Sequence, residues 1–173
     1  ALASITVVMP TLWQHLSAKL DETGMRKLFD EIEMPLVPIL HDMEVAGIEL
    51  DTKTLVTLSG SLKKRVDTLA AEITKLAGDE VNINSPLQLA TVLFTKLKLP
   101  TKGIKRTTHG YSTAASELEK IMDAHPIVPL ISEYRELTKL QSTYVEALPA
   151  LVGKDGRIHT TFNQTVASTG RLS

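Results

Sequence analysis

"DTKTLVTLSGSLKKRVDTLAAEITKLAG", residues 51–78, is the stretch that decides the fold. Asp51 is a predicted N-cap and Gly78 a predicted C′ residue, so the two ends of one long helix are fixed by local chemistry. The apolar residues between them recur every three or four positions over three heptads, which indicates a narrow stripe that packs on one partner helix. The stripe consists of Leu55, Leu58, Leu62, Val66, Leu69, Ile73 and Leu76.

The partner of this stripe is either a second copy of the chain or another helix of the same chain. Residues 126–148 carry a second stripe with the same spacing, and two such helices packed antiparallel place the residues between them at the far tip of a hairpin. We therefore predict a mainly α fold built on a long antiparallel helical hairpin, with small tip helices and a short β segment near the C-terminal end. The second stripe consists of Leu130, Tyr134, Leu137, Gln141, Tyr144 and Leu148.

The predicted tip is basic, although the whole chain has a net charge of only −1. Residues 81–116 contain five cations and no Asp or Glu, which leaves a net charge of −6 on the remaining residues. This distribution favours a localised anion-binding surface, the alternative being a solvated loop with a chance excess of cations. The five cations are Lys96, Lys98, Lys102, Lys105 and Arg106.

Two short helices are predicted at the tip, one on each side of a loop. Ser85, Pro86 and Gln88 have the pattern of an N-cap, a first helical residue and the distal residue of a capping box. Thr113 is the predicted cap of the second helix. The loop, residues 100–113, is rich in Gly and Thr and has no apolar period, so we predict that it is irregular. Backbone N–H groups at helix starts suit phosphate oxygens.

Two further helices are predicted before the hairpin. Residues 11–29 form the first, with a break near Gly24. The second has Pro35 and Pro38 near its first turn, where a missing N–H costs least, and Gly47 as its C-cap. Its apolar face consists of Ile32, Leu36, Leu40 and Met43.

Residues 154–166, "KDGRIHTTFNQTV", predict a strand after the hairpin. A DG turn signal is followed by alternation, with Ile158, Thr160 and Phe162 on one side of the strand. Because one strand cannot form a sheet, we expect its partners beyond Ser173, and we interpret the chain as part of a longer protein.

The composition excludes several classes of site. The chain has no Cys, so it has no disulfide and no thiolate ligand or nucleophile. No apolar run approaches the roughly 20 residues that span a bilayer. His109 and His125 have no carboxylate or second His at ligand spacing, so no metal site is predicted. His159, beside Arg157, is predicted to be structural.

Five motifs, in this order, resemble the thumb and the opening of the palm in family A DNA polymerases, the bacterial DNA polymerase I type. The resemblance covers residues 30–173. It implies that residues 1–29 are the C-terminal helix of a 3′–5′ exonuclease-like domain, residues 30–150 the thumb, and residues 151–173 the truncated start of the palm. The motifs are "EIEMPLVPILHDMEVAGIELD", "NINSPLQLATVLFTKLKLP", "GYSTAASELEKI", "YRELTKL.STY" and "GRIHTTFNQTVASTGRLS".

This resemblance implies that the parent is a DNA-directed DNA polymerase, a nucleotidyltransferase of DNA replication and repair that uses Mg²⁺. The expected partners are primer–template duplex DNA and the remainder of the polymerase, in a cytoplasmic, nucleoid-associated monomer without membrane contact. The metal-binding aspartates of the family lie beyond "TGRLS". The 173 residues alone are therefore expected to hold no catalytic residue, no metal and no cofactor, and to be inactive.

The resemblance also implies a grip on the DNA backbone that does not depend on base sequence. Arg171 is expected to reach the minor groove near the primer terminus. Gln141 stands where the family commonly carries Lys, which removes one potential phosphate contact. The candidate DNA-binding residues are Asn82, Asn84, Ser85, Gln88, Lys102, Lys105, Arg106, Ser112, Thr113, Arg135, Lys139, Ser142, Thr143, Asn163, Gln164 and Arg171.

Two alternatives remain open from the sequence. Arg135 and Lys139 follow one helix face at a spacing that can track a phosphate strand, but they can equally belong to a solvated face paired with Glu133 or Glu136. The whole chain can likewise be a non-enzymatic helical module that dimerises through its heptad stripe and binds an acidic partner through the basic loop.

Overall fold

The computed structural model describes residues 2–108 and 110–173, with side chains described from residue 7 onward. The described chain forms two compact units, Ala1–Glu49 with Val152–Ser173, and Leu50–Leu151. None of the described helices is long and apolar enough to cross a membrane. The predicted division into exonuclease-like, thumb and palm segments stays a prediction.

Helices account for most of the described residues, as predicted. Three π-helical segments, Phe29–Glu33, Thr91–Lys96 and Gln141–Val145, extend the helices beside them, and Leu148–Leu151 is a 3₁₀ turn. The helices are α1 (Leu2–Glu22), α2 (Arg26–Leu28), α3 (Met34–Ala46), α4 (Thr52–Ala77), α5 (Pro86–Ala90), α6 (Ala115–Glu119) and α7 (Ile127–Leu140). The strands are β1 (Ile48–Glu49), β2 (Arg106–Thr107), β3 (Gly110–Tyr111) and β4 (Arg157–Ile158).

In the first unit, the predicted break between α1 and α2 is confirmed, because Gly24 has a left-handed φ of +70°. The predicted start of α1 at residue 11 is wrong. The helix begins at Leu2 and contains Pro10 in its interior, although a proline there removes one backbone hydrogen bond.

The prediction that both Pro35 and Pro38 lie near the first turn of their helix is only partly right. Pro35 is the second residue of α3, as predicted, but Pro38 lies inside the helix, and a π-helical segment leads into α3. The N–H of Met34 donates to the carbonyl of Phe29, five residues earlier. The ring of Pro35 crowds the carbonyl four residues back, which lies within this wide turn. Gly47 ends the helix as predicted, with φ +63°.

The C-terminal strand finds its partner inside the chain, so the expectation that all its partners lie beyond Ser173 is wrong. β4 pairs antiparallel with β1, with Ile48 opposite Ile158 and Glu49 opposite Arg157. β1 has two residues and directly follows α3, so it offers no alternating pattern that a sequence analysis could detect.

The second unit is the predicted helical hairpin, formed by α4 and α7. The Asp51 carboxylate accepts the N–H of Thr54 at 3.0 Å and caps α4, and Gly78 ends it with φ +76°. Arg65 of α4 pairs with Glu133 of α7 at 2.7 Å, while Ile73, near the end of α4, packs in one cluster with Ile127 at the start of α7. The two helices therefore run antiparallel, with the basic region at the turn.

The apolar core of this unit lies at the tip end of the hairpin. On α4 the second half of the stripe is buried, at Leu69 and Ile73, and this half packs against other helices of the same chain. Leu58, in the first half, is 37% exposed. On α7 the predicted stripe is wrong in detail. The fully buried residues are Ile127, Val128 and Ile131, since α5 and α6 add side chains to the same core and widen the buried face beyond a coiled-coil seam.

The tip helices confirm one predicted cap and correct another. Ser85 Oγ accepts the N–H of Gln88 at 3.4 Å, as expected for an N-cap. Gln88, however, reaches back to the N–H of Asn82 at 3.0 Å and not to that of Ser85, whose own N–H already donates to the Asn82 carbonyl. The hydrogen bond from the Asn82 N–H to Gln88 therefore spans the turn formed by residues 82–85, which precedes the helix.

The loop between the tip helices is not irregular throughout, because β2 and β3 form a short antiparallel hairpin in it. Arg106 lies opposite Tyr111, and Thr107 lies opposite Gly110. The Arg106 guanidinium stands 5.3 Å from the centre of the Tyr111 ring, a cation–π contact across the two strands. Gly/Thr-rich strands of two residues carry no apolar period, which explains why the sequence predicted a loop.

Candidate nucleic-acid interface

Arg135 on α7 joins the segments that lead into α5 and α6. Its Nε and Nη2 donate to the Ile83 carbonyl at 3.4 and 3.3 Å, and its Nη1 donates to the Thr113 carbonyl. The side chain is half-buried, and this burial lowers the pKa of Arg135. The alternative of a solvated Arg135 paired with Glu133 is wrong, because Glu133 pairs with Arg65 and the guanidinium faces protein carbonyls.

Thr113 does not cap α6, so that prediction is wrong. The residue is only 3% exposed, and its hydroxyl accepts from Arg135 Nη2 at 3.4 Å. The position before α6 is occupied by Ala114, whose N–H donates to Ser112 Oγ at 3.3 Å. Thr113 is drawn inward by Arg135, which sequence spacing could not show because Arg135 lies on α7, 22 residues further along the chain.

Residues 101–107, the part of the predicted loop that carries Lys102, Lys105 and Arg106, form the basic loop. This loop is fixed on its inner side and exposed on its outer side. Ile104 is 7% exposed and belongs to the core. The Lys105 carbonyl accepts the N–H of Ser112 at 2.8 Å. The side chains of Lys102, Lys105 and Arg106 are exposed, as the predicted anion-binding surface requires.

Glu117 on α6 and Lys120, the residue that directly follows this helix, are the residues of this region that the sequence analysis missed. Glu117 Oε2 accepts the Lys105 N–H at 3.0 Å and the Lys120 ammonium at 2.8 Å. The hydrogen bond from Lys120, and then the one from Lys105, hold the pKa of Glu117 below its ordinary value. Lys120 also donates to the Gly103 carbonyl at 3.0 Å. An acid followed three residues later by Lys, just after a basic loop, is the signal that could have found the pair.

The candidates near α5 are partly engaged in local structure. Asn82 Oδ1 accepts the N–H of Asn84 at 3.0 Å, so these residues shape the turn before the helix. Ser112, Thr113 and Arg135 line a crevice together with Pro86 and Leu87 at the start of α5. The fold thus brings both tip helix starts and the return helix to one place.

On the return helix, Lys139 is exposed and lies one turn after Arg135. Ser142 Oγ donates to the Thr138 carbonyl of its own helix at 2.9 Å. Ser142 and Thr143 fall in the π-helical segment, whose wider turn departs from the 3.6-residue period of α7.

The remaining three candidates belong to the first unit. Gln164 Nε2 donates to the backbone carbonyl of Glu33 at 3.0 Å and to its carboxylate at 2.7 Å. The backbones of Asn163 and Ser173 exchange two hydrogen bonds, of 2.8 and 3.0 Å. Arg171 is exposed on the segment between them.

Two of the described histidines, His159 and His125, make hydrogen bonds within the fold. His159 is within hydrogen-bonding distance of the Glu44 carbonyl (2.7 Å) and the Asp155 carboxylate (2.9 Å), which raise its pKa. Its predicted structural role is confirmed. His125 Nδ1 accepts the N–H of Ile127 at the start of α7. His109 lies outside the described residues, among which no group of three or more His, Cys, Asp or Glu could hold a metal ion.

With this geometry established, a sequence model of DNA polymerase family A matches residues 52–173. The chain belongs to DNA polymerase family A. It is 43% identical to the DNA polymerase I of Caldicellulosiruptor bescii over 168 residues, which are 96% of this chain and 20% of that protein. It is 47% identical to the DNA polymerase I of Deinococcus radiodurans over 163 residues, 94% of this chain and 17% of that protein.

A solved structure agrees with these sequence relatives. The POL domain of Pol1 from M. smegmatis, described as a complex with DNA primer-template and dNTP, superimposes with a TM-score of 0.80 and 37% identity. The match covers 91% of this chain and 28% of that one. The family resemblance and the mainly α fold are therefore confirmed, and the chain spans about a fifth of the length of the curated relatives it matches.

Proposed function

We propose that this chain grips the sugar–phosphate backbone of primer–template duplex DNA as part of a DNA-directed DNA polymerase of replication and repair. The observation that carries the proposal is the basic loop at the hairpin tip. Its backbone is fastened to the protein core, while Lys102, Lys105 and Arg106 extend into solvent. The M. smegmatis relative, whose structure is described with primer-template DNA, supports the choice of partner.

The arrangement suits phosphate binding without base readout. Cations on a fixed loop neutralise phosphates whatever the base sequence, which a polymerase that copies every template requires. Ser112 lines a crevice with Arg135, and Lys139 is exposed one turn after Arg135 on the same helix. Arg135, whose donors are directed to two backbone carbonyls, supports this surface from within.

A salt titration of duplex binding tests the proposal. Changing Lys102, Lys105 and Arg106 together to Ala should flatten the slope of log K against log[salt] by up to about 2.7, at about 0.9 per phosphate neutralised. The loss should be equal for unrelated duplex sequences.

The matched control removes three exposed cations from α4, namely Lys53, Lys63 and Lys64. This variant loses the same net charge but is expected to keep the wild-type slope. Equal slopes for the loop variant and the wild type would show that the basic loop is only a solvated loop.

We further propose that Arg171 reaches the minor groove near the primer terminus, and that the chain works as a monomer joined to the remainder of the polymerase. The 173 residues alone are predicted neither to extend nor to degrade a primer in Mg²⁺. Nucleotide incorporation by the purified chain would contradict this.

A further inference from the structure

The inner side of the basic loop is held by one ion pair that the DNA grip, as proposed above, does not use. Three consecutive loop residues are held on this side: Gly103 through its carbonyl, Ile104 through its side chain in the apolar core, and Lys105 through its N–H. The first and third of these contacts end on Lys120 and Glu117.

The Glu117 carboxylate is an unusual group to place beneath a phosphate-binding loop. Its side chain is 11% exposed, and one oxygen accepts both the Lys105 N–H and the Lys120 ammonium. The ion pair of Glu117 with Lys120 has no net charge, so it does not reduce the net positive charge of the three loop cations. The carboxylate can thus fix the backbone without cancelling the charges that the backbone carries.

We propose that Glu117 is a positioning residue of the DNA grip, which, with Lys120, holds residues 103–105 so that Lys102, Lys105 and Arg106 face the duplex together. The inference rests on the proposed function, since it names what shapes that same site. Loss of the carboxylate frees the loop backbone, and the three cations then lose part of their joint alignment.

The sign of the effect separates this role from simple electrostatics. Removing a negative charge close to a DNA-binding loop should strengthen binding if charge alone matters. Removing a positioning carboxylate should weaken it, in spite of the more favourable net charge. Glu119 offers a matched control, because it lies on the same helix two residues away and is exposed.

The experiment measures duplex affinity of the 173-residue chain at several salt concentrations for Glu117→Gln and Glu119→Gln. Glu117→Gln should bind about three- to tenfold more weakly, the scale of one ordinary hydrogen bond lost to the loop backbone. Glu119→Gln should bind as tightly as the wild type or slightly more tightly. Unchanged or tighter binding by Glu117→Gln would overturn the inference.

A second comparison shows whether Glu117 acts through the loop. In a chain with Lys102, Lys105 and Arg106 already changed to Ala, Glu117→Gln should have no further effect, because the groups it positions are gone. An equal loss in both backgrounds would mean that Glu117 acts through general stability, which overturns the positioning role.

Hydrogen exchange gives a readout that needs no DNA. The Lys105 amide should exchange faster in Glu117→Gln than in the wild type, while the Leu69 amide in the core of α4 should be unchanged. Equal exchange at Lys105 in both chains would show that Glu117 does not hold the loop. If the wild type fails to bind duplex at all, the proposed function is wrong, and the exchange comparison still decides whether the ion pair fixes the loop.

Discussion

Replacing Arg135 with Met tests whether this side chain is an internal brace of the hairpin tip. Met keeps a long apolar stem but has no donor, so the carbonyls of Ile83 and Thr113 lose their guanidinium partners. The segments before α5 and α6 are then no longer tied to α7. The unit Leu50–Leu151 should become less stable, although no apolar core residue has been changed.

The size of the loss follows from the two orphaned carbonyls. A buried acceptor left without a donor costs about 1–3 kcal/mol. Because Arg135 is half-buried, water can reach part of the site, and the lower end of that range applies to each carbonyl, or about 2 kcal/mol in total. With an m-value of about 2 kcal/mol per molar urea, the unfolding midpoint should fall by about 1 M.

The assay must report on this unit alone. Trp13 lies in the other unit, so its fluorescence is unsuitable. Hydrogen exchange of the Leu69 and Ile73 amides against urea concentration follows α4 directly. Arg135→Lys keeps the charge but not the planar fork, and should lose about half as much as Arg135→Met.

Lys139→Met is the control, because Lys139 is exposed one turn further along the same helix. Its midpoint should move by less than about 0.3 M, the effect of an ordinary surface substitution. An Arg135→Met midpoint equal to that of Lys139→Met would refute the brace, and it would return Arg135 to the set of direct phosphate ligands.

Three further outcomes are expected. Leu69→Ala should lower the free energy of unfolding of its unit by about 3 kcal/mol, against about 1 kcal/mol or less for the more exposed Leu58→Ala, as measured by urea unfolding. The pKa of His159 is raised by its hydrogen bonds to the Glu44 carbonyl and then to Asp155. The stability it contributes is therefore complete below about pH 6.5 and is lost as pH rises through the raised pKa. Urea unfolding followed by Trp13 fluorescence at several pH values should show this loss as a falling midpoint. In His159→Gln the midpoint should no longer depend on pH in this range. In the complete polymerase, Arg171→Ala should raise the activation free energy of nucleotide incorporation by about 1–3 kcal/mol, equally for all four terminal base pairs. Arg171→Lys should recover little of this loss. A normal incorporation rate in Arg171→Ala would disprove the assigned role.

Much of the secondary structure could be predicted because its determinants are local. Asp51 caps α4 by bonding an amide three residues away, and Gly78 ends it by its own φ. Ser85 acts over the same short range. Such interactions need no knowledge of the rest of the chain, so they can be inferred from a few adjacent residues.

The failures share a different cause. β1 and β4 pair across more than a hundred residues, and strands of two residues have no period to detect. Thr113 looks like a cap in the sequence but is turned inward by Arg135 from another helix. The sequence indicates that Glu117 is a surface acid of a short helix, whereas in the fold its carboxylate accepts a backbone N–H of the loop.

The sequence by itself determined the helical hairpin, the basic character of its tip and the family, because periodicity, caps and ordered motifs are properties of the chain as written. Only the tertiary structure decided which charges face solvent and which are used internally. Lys102, Lys105 and Arg106 face outward, while Arg135, Glu117 and Lys120 are committed to backbone groups of distant segments. The physical reason is that a charged side chain takes its role from the donors and acceptors that packing brings within about 3 Å, and sequence spacing does not specify those groups.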